Sequence, residues 1–320
     1  MDRRKRFARI AAALIAGLAM AAPAAAQTAI KVAEGSHSFT VMPVYIAMEA
    51  GYFKEQGLDV ELVTMKGGPA AASALMSGDV DIAVSVAETP IKTRSQGKDL
   101  RVIGLIQDKN PCVLVVAAGS PVTSIADLKG KAIGVTATGS LTDLILRAYI
   151  NRLGMNVADF EIVGLGSGAT VAAALERGQV QGAIAVTPFL TRLQMDNKVK
   201  VVYDFRAEVY PGQAILMRGA DLGSPKEQAY RKFVAALVKG AKALYADPAL
   251  VAKVGRSSFP DMDPKVLETM IADETRTHPI FTRDIAFSRE DYDALTDTLL
   301  KNKLIAKSEK YEDIVVPMWR

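Results

Sequence analysis

The chain predicts an α/β fold of two similar, doubly wound lobes followed by a helical C-terminal tail. The first observation behind this is an internal repeat. Gly68, Ala72, Ala74, Leu75, Gly78, Val80, Ala83 and Val86 each recur at their own number plus 100. The register extends upstream without a gap, Asp59-Val60-Glu61-Leu62-Val63 pairing with Asp159-Phe160-Glu161-Ile162-Val163. A repeat this long argues for two halves built on one plan. The second observation is the alternation of short apolar runs with helical stretches across brief joints, the pattern of a largely parallel sheet wrapped by helices.

The elements follow in order. Ile30–Glu34 reads as a strand, and Ser36–Thr40 as the loop after it. Pro43 starts a helix closed by Gly57, Val60–Thr64 is the second strand, and Gly67-Gly68 is a turn. Pro69 then fits the first turn of an alanine-rich helix that stops at Gly78. Asp81–Val86 is an almost unbroken apolar run of the kind buried on both faces. Thr89-Pro90 opens another helix, threonine as cap and proline inside it. Strands are predicted at Val102–Gln107, Val113–Ala117 and Ala132–Val135. Thr138-Gly139-Ser140 caps a helix to about Leu153, Phe160–Leu165 is a strand, and a helix ends at Gly178. Ala183–Val186 and Val199–Asp204 complete the strands, with Thr187-Pro188 opening the helix between them. In the last third, Ser224-Pro225-Lys226-Glu227 is a capping box before a helix to about Tyr245. Pro248, Pro264 and Ser288 start three more helices, expected to pack back onto the first lobe.

The ends change the charge balance. Arg3, Arg4, Lys5, Arg6 and Arg9 precede an apolar run from Ile10 to Ala22, and Ala24-Ala25-Ala26 fits a cleavage site, so residues 1–26 are expected to be an export signal. They hold five of the 39 Lys and Arg and one of the 35 Asp and Glu, leaving 34 of each. The formal charge of +4 therefore belongs to the signal, and a near-neutral mature chain gives no support for nucleic-acid binding. Cys112 is the only cysteine, which excludes an intramolecular disulfide and a CxxC pair, and no cysteine stands at the cleavage point to carry a lipid. Metal ligands lack a recognisable spacing, no cofactor is expected, and no nucleophile is paired with a base at motif spacing.

The chemistry is expected at the joints, at the carboxyl ends of the strands, where open α/β sheets bind ligands. Each joint leads into a helix start, whose free N–H groups and partial positive charge favour an anion or a polar acceptor. In the first half the candidates are Ser36, His37, Ser38 and Phe39 after the first strand, Gly67 and Gly68 after the second, and Ser85 and Glu88 around the third. In the second half they are Thr138, Gly139 and Ser140, then Ser167 and Gly168, then Thr187 and Phe189. The two phenylalanines are candidates for the walls around an apolar ligand body. Glu88, if it points inward, selects a cationic or donor-bearing group. The glycine spacing matches neither a P-loop nor a dinucleotide fingerprint.

At Ala50–Glu61 (AGYFKEQGLDVE), Ala74–Asp81 (ALMSGDVD) and Asp127–Val135 (DLKGKAIGV) the chain resembles the periplasmic substrate-binding proteins of ATP-binding-cassette (ABC) importers, in the nitrate/sulfonate/taurine, SsuA/THI5-like group. That group shares its domain with binders of a thiamine-pyrimidine precursor and with fungal pyrimidine synthases. The resemblance implies a type II periplasmic-binding fold whose lobes are joined by two crossover strands, placed near Pro111–Val115 and Gly212–Met217. Lobe one is then 30–111 plus 217–320, and lobe two 112–216. It further implies hinge closure over one small molecule, a periplasmic location, a monomer, and delivery to an inner-membrane permease. The expected ligand is a small organic anion of the sulfonate, carboxylate or nitrate class, the alternative an aromatic or amine-bearing pyrimidine. The cysteine motif of the fungal synthases is absent, and an enzyme is not expected. A sensor that passes ligand occupancy to a signalling partner would use the same cleft.

Overall fold

The computed structural model describes residues 27–94, 96–166, 168–208 and 210–319, so the export signal expected over 1–26 lies outside the described residues, as does Ser167. Ten strands are present: β1 Thr28–Glu34, β2 Leu58–Thr64, β3 Ile82–Val86, β4 Leu100–Leu105, β5 Val113–Ala117, β6 Ala132–Val135, β7 Glu161–Gly164, β8 Gly182–Ala185, β9 Val199–Asp204 and β10 Gln213–Arg218. They form two five-stranded sheets, ordered β2-β1-β3-β10-β4 and β7-β6-β8-β5-β9. In each sheet the first three strands run parallel and one inserted strand runs antiparallel to them. The offset of 100 seen in the sequence carries β2 and β3 onto β7 and β8, and by pairing register β1 falls on β6 at an offset of 101. All residues of β3 and of β8 are buried, as central strands covered on both faces require.

Local signals set the joints. The helix Gly68–Ser77 has Pro69 in its first turn and ends at Gly78, whose φ of 89° is the left-handed conformation that closes a helix most cheaply without a side chain. The helix Leu141–Arg152 starts at Ser140 in extended backbone.

The chain passes between the lobes twice, through 106–112 and 205–212. The crossings are expected near Pro111–Val115 and Gly212–Met217. β5 lies wholly in the second sheet and β10 wholly in the first, between β3 and β4. The expected boundary at 216/217 therefore falls inside β10. A strand has to satisfy its backbone groups within one sheet, so the chain crosses before the apolar run rather than within it.

The tail also departs from expectation. The helix Lys226–Ala246 does pack on the first lobe, against Met42–Glu49, where Gly240 admits the Pro43 carbonyl: a methyl group there would stand 2.4 Å from that oxygen. Phe233 stacks on Phe53 with ring centroids 4.7 Å apart. The helix Arg289–Lys301, however, lies against Leu141–Arg152 of the second lobe. Its Leu295 and Leu299 share a core with Ile145 and Ile150, and Asn151 Nδ2 donates to the Asn302 carbonyl at 2.9 Å. The tail thus bridges both lobes, because its apolar faces find partners on each. No helix among the described residues is long and apolar enough to cross a membrane.

Candidate functional site

The three joints of the first lobe are held together by one backbone hydrogen bond and one serine hydroxyl. Gly67 N donates to the Gly35 carbonyl at 2.6 Å, and Ser85 Oγ donates to the Gly68 carbonyl at 3.1 Å. Position 35 has no room for a side chain, since a methyl group would stand 2.6 Å from Gly68 N. In the second lobe a hydroxyl cluster shapes the matching joint. Thr142 Oγ1 accepts from Thr136 N at 3.0 Å, and Thr136 Oγ1 donates to Ser140 Oγ at 2.8 Å. Gly139 N donates to Asp143 Oδ2 at 2.7 Å, and Arg147 Nε donates to the other oxygen of that carboxylate at 2.7 Å.

These joints face one another across the gap. A methyl group on Gly67 would stand 3.2 Å from the Ala137 side chain, and one on Gly139 would stand 3.6 Å from Pro69. Between them lies a cavity of about 50 Å³. Ser36, Ser38, Thr40, Gly67 and Gly68 line it from the first lobe. Thr136, Ser140, Thr142 and Gly166 line it from the second, and Pro111 and Gln213 flank the crossings. No side chain in its lining carries a charge. The starts of the helices Gly68–Ser77 and Leu141–Arg152 both stand at its rim, and two helix N-termini supply positive potential without a cation.

The expected residues divide accordingly. Ser36, Ser38, Gly67, Gly68 and Ser140 are brought together on the cavity wall. Ser85 supports the wall from behind, Gly139 closes the rim, and Thr138 is exposed. His37 turns away: its Nε2 donates to the Ser258 carbonyl at 2.7 Å, while Nδ1 faces the Tyr45 hydroxyl at 2.9 Å and Glu34 Oε1 at 3.4 Å. Its hydrogen bond to Glu34 raises the imidazole above its ordinary value. Phe39 is fully buried in the first-lobe core, edge-on to Phe281, because its ring fills the space beneath the loop rather than the gap above it. Glu88 is also fully buried; Tyr210 donates to its Oε1 at 3.1 Å, Oε2 has no partner among the described residues, and burial raises its pKa. Thr187 is buried and donates to Glu274. Phe189 is half-buried beside Val171 and Leu175 within the second lobe. Gly168 begins its helix, but Gly166 is the residue on the wall.

Thr40, Thr136, Thr142 and Gly166 also line the cavity and are not among the candidate residues. Two of them were within reach of the repeat: Thr136 is the offset mate of Ser36, and Thr40 of Ser140. Both pairs put hydroxyls on opposite walls of one cavity.

The NMT1/THI5-like family model matches residues 38–250. The chain belongs to this family. YtlA of Bacillus subtilis (strain 168), whose name describes a binding protein, is 25% identical over 294 residues, covering 90% of this chain and 87% of that one. The alkanesulfonate-binding protein SsuA from Xanthomonas axonopodis pv. citri, solved bound to MOPS, superposes with a TM-score of 0.76 at 19% identity, covering 92% of this chain and 99% of that one. The 4-amino-5-hydroxymethyl-2-methylpyrimidine phosphate synthase of Schizosaccharomyces pombe is 21% identical over 145 residues, covering 45% of this chain and 41% of that one. The architecture is the two-lobed periplasmic-binding fold.

Proposed function

We propose that the chain is a periplasmic solute-binding protein that closes two lobes over one small organic anion and delivers it to an ABC permease. The lobes are 27–105 with 213–319, and 113–204, hinged at the two crossing segments. The observation that carries this reading is the uncharged cavity between them, lined from both sides by hydroxyls and glycine backbone and faced by two helix starts. Contacts from both lobes are what make a ligand favour closure; a ligand held by one lobe would shift nothing. Helix N-termini and hydroxyls offer donors, which suits a sulfonate, carboxylate or nitrate. A cationic or amine-bearing ligand finds no carboxylate in the lining, because Glu88 is turned to Tyr210. At about 50 Å³ the cavity is far smaller than the roughly 300–1,000 Å³ of ordinary ligand clefts, so a larger ligand has to part the lobes as it enters.

The reading as a binder rather than an enzyme rests on His37, the one histidine near the joints. Its Nε2 is held by the Ser258 carbonyl and its Nδ1 faces Tyr45 and Glu34, so no ring nitrogen is presented to the cavity.

Titration calorimetry with alkanesulfonates, short carboxylates, nitrate and aminopyrimidines tests the proposal. One class of anion is expected to bind with a dissociation constant on the order of micromolar, about −8 kcal/mol. Silence from every anion, or binding by the aminopyrimidines alone, refutes it.

A further inference from the structure

The turn Asp273–Thr277 in the tail makes two adjacent contacts, one with the second lobe and one with the crossing segment that leaves it. Glu274 is 1% exposed; its Oε1 accepts the Thr187 hydroxyl, and its Oε2 is buried with no partner among the described residues. Beside it Asp273 pairs with Arg206, which is tied in turn to Asp204 at the end of β9, with Nη2 donating to Oδ2 at 2.7 Å. The chain on either side of this turn belongs to the first lobe. Leu267 and Met270 sit in one core with Phe39 and Met42, and Thr282 Oγ1 donates to the Leu105 carbonyl at 2.6 Å. Residues 273 and 274 are therefore carried by one lobe; Glu274 grips the other, and Asp273 holds the crossing segment that leaves it.

We infer that Glu274 is a positioning residue for lobe closure, a latch outside the cleft that holds the Thr187 loop, and the second lobe with it, against the first. The inference rests on the hinge reading above and adds to it a titratable group that helps to keep the gap shut.

A buried carboxyl with an unpartnered oxygen is tolerated far better protonated than charged. Burial is the main cause that pushes Glu274 up to about 8; the Asp273 carboxylate adds to this, while the Thr187 hydroxyl and the Arg206 guanidinium oppose it. Two further titratable groups face it, and burial pushes both up: the Cys112 thiol, and the Tyr245 phenol to about 12, so both are neutral near pH 7. His278 lies beyond Asp273, its Nδ1 2.7 Å from Oδ1. Opening the lobes returns Glu274 to water and to the ordinary carboxylate value of about 4.3. The closed state thus binds a proton that the open state releases. Closure is helped fully below the open-state value, and the help is lost as pH rises to about 8, by up to roughly tenfold in the closed-to-open ratio per pH unit.

The test uses spin labels at Glu61→Cys and Glu161→Cys, exposed positions on β2 and β7, with the buried Cys112 left in place. Pulsed-resonance distances are recorded without ligand from pH 5 to 9, and circular dichroism reports folding. The labelled parent is expected to lose its short-distance population as pH approaches 8. Glu274→Gln, neutral at every pH, is expected to abolish that dependence. Thr187→Val is expected to lose short-distance population at every pH. A parent distance distribution identical at pH 5 and 9, a Glu274→Gln variant that keeps the parent's profile, or an unchanged Thr187→Val distribution overturns the inference. No ligand enters this measurement, so its failure is distinct from a silent ligand panel.

Discussion

Gly35→Ala puts the geometry of the cavity wall to a quantitative test. The added methyl group would stand 2.6 Å from Gly68 N, 2.9 Å from Gly68 Cα and 3.0 Å from Gly67 C. Ordinary contact begins near 3.4 Å, so the Gly67-Gly68 backbone has to retreat by about 0.8 Å. All three atoms are main chain, and no rotamer change relieves them. Overpacking of this kind costs about 1–3 kcal/mol. Stretching the 2.6 Å hydrogen bond from Gly67 N to the Gly35 carbonyl adds about 1 kcal/mol. The smaller entropy of the unfolded alanine chain offsets about 0.4–1 kcal/mol. The net loss is about 1–4 kcal/mol, read as a lower urea midpoint at an unchanged slope. The displaced wall moves into a cavity of about 50 Å³, so affinity for the anion that binds in the panel is expected to fall more than tenfold. Gly119→Ala is the control, because position 119 is exposed and a methyl group there meets nothing within 4 Å. If the two variants unfold at midpoints within about 0.5 kcal/mol of each other, the close approach of the joints is wrong.

Two further outcomes are expected. His37→Ala removes the hydrogen bonds to the Ser258 carbonyl and to Glu34 and costs about 1–2 kcal/mol in urea unfolding. Because Glu34 raises the imidazole, that contribution is complete below the ordinary value of about 6.5 and is lost as pH climbs past the folded value. The difference from the parent should therefore be larger at pH 5.5 than at pH 9, and an equal loss at both would contradict the assignment. Ser140→Ala leaves Thr136 Oγ1 without its Ser140 acceptor on the cavity wall. It should lower anion affinity about tenfold by calorimetry, with about 1 kcal/mol lost in stability; unaltered affinity would place the ligand elsewhere.

The repeat made much of the fold legible before any coordinates. An offset of 100 holds from β2 to β7 and from β3 to β8, and becomes 101 from β1 to β6, because sheet register and helix length both depend on residue count. The inserted strands were harder to read. Val113–Ala117 and Gln213–Arg218 are apolar runs like any other, and nothing local says which sheet receives them. Among the candidate residues, Ser36, Ser38, Gly67, Gly68 and Ser140 reach the cavity wall because they stand at the strand ends, where the two sheets face each other. The side chains of His37, Phe39, Glu88 and Thr187 were ambiguous, because each has a long-range partner that local pattern does not reveal. Those partners are Ser258, Phe281, Tyr210 and Glu274, distant in sequence and brought close only by the crossings and the tail.

The placement of β10 has a consequence for assembly of the chain. The second sheet draws all its strands from one continuous stretch, 113–204. The first sheet needs Gln213–Arg218 wedged between β3 and β4, which otherwise have no common edge. As the polypeptide emerges from its amino end, the later half can complete its sheet while the earlier half still waits for its fourth member. A chain that ends before residue 213 has every strand of the second sheet but lacks the one that joins β3 to β4.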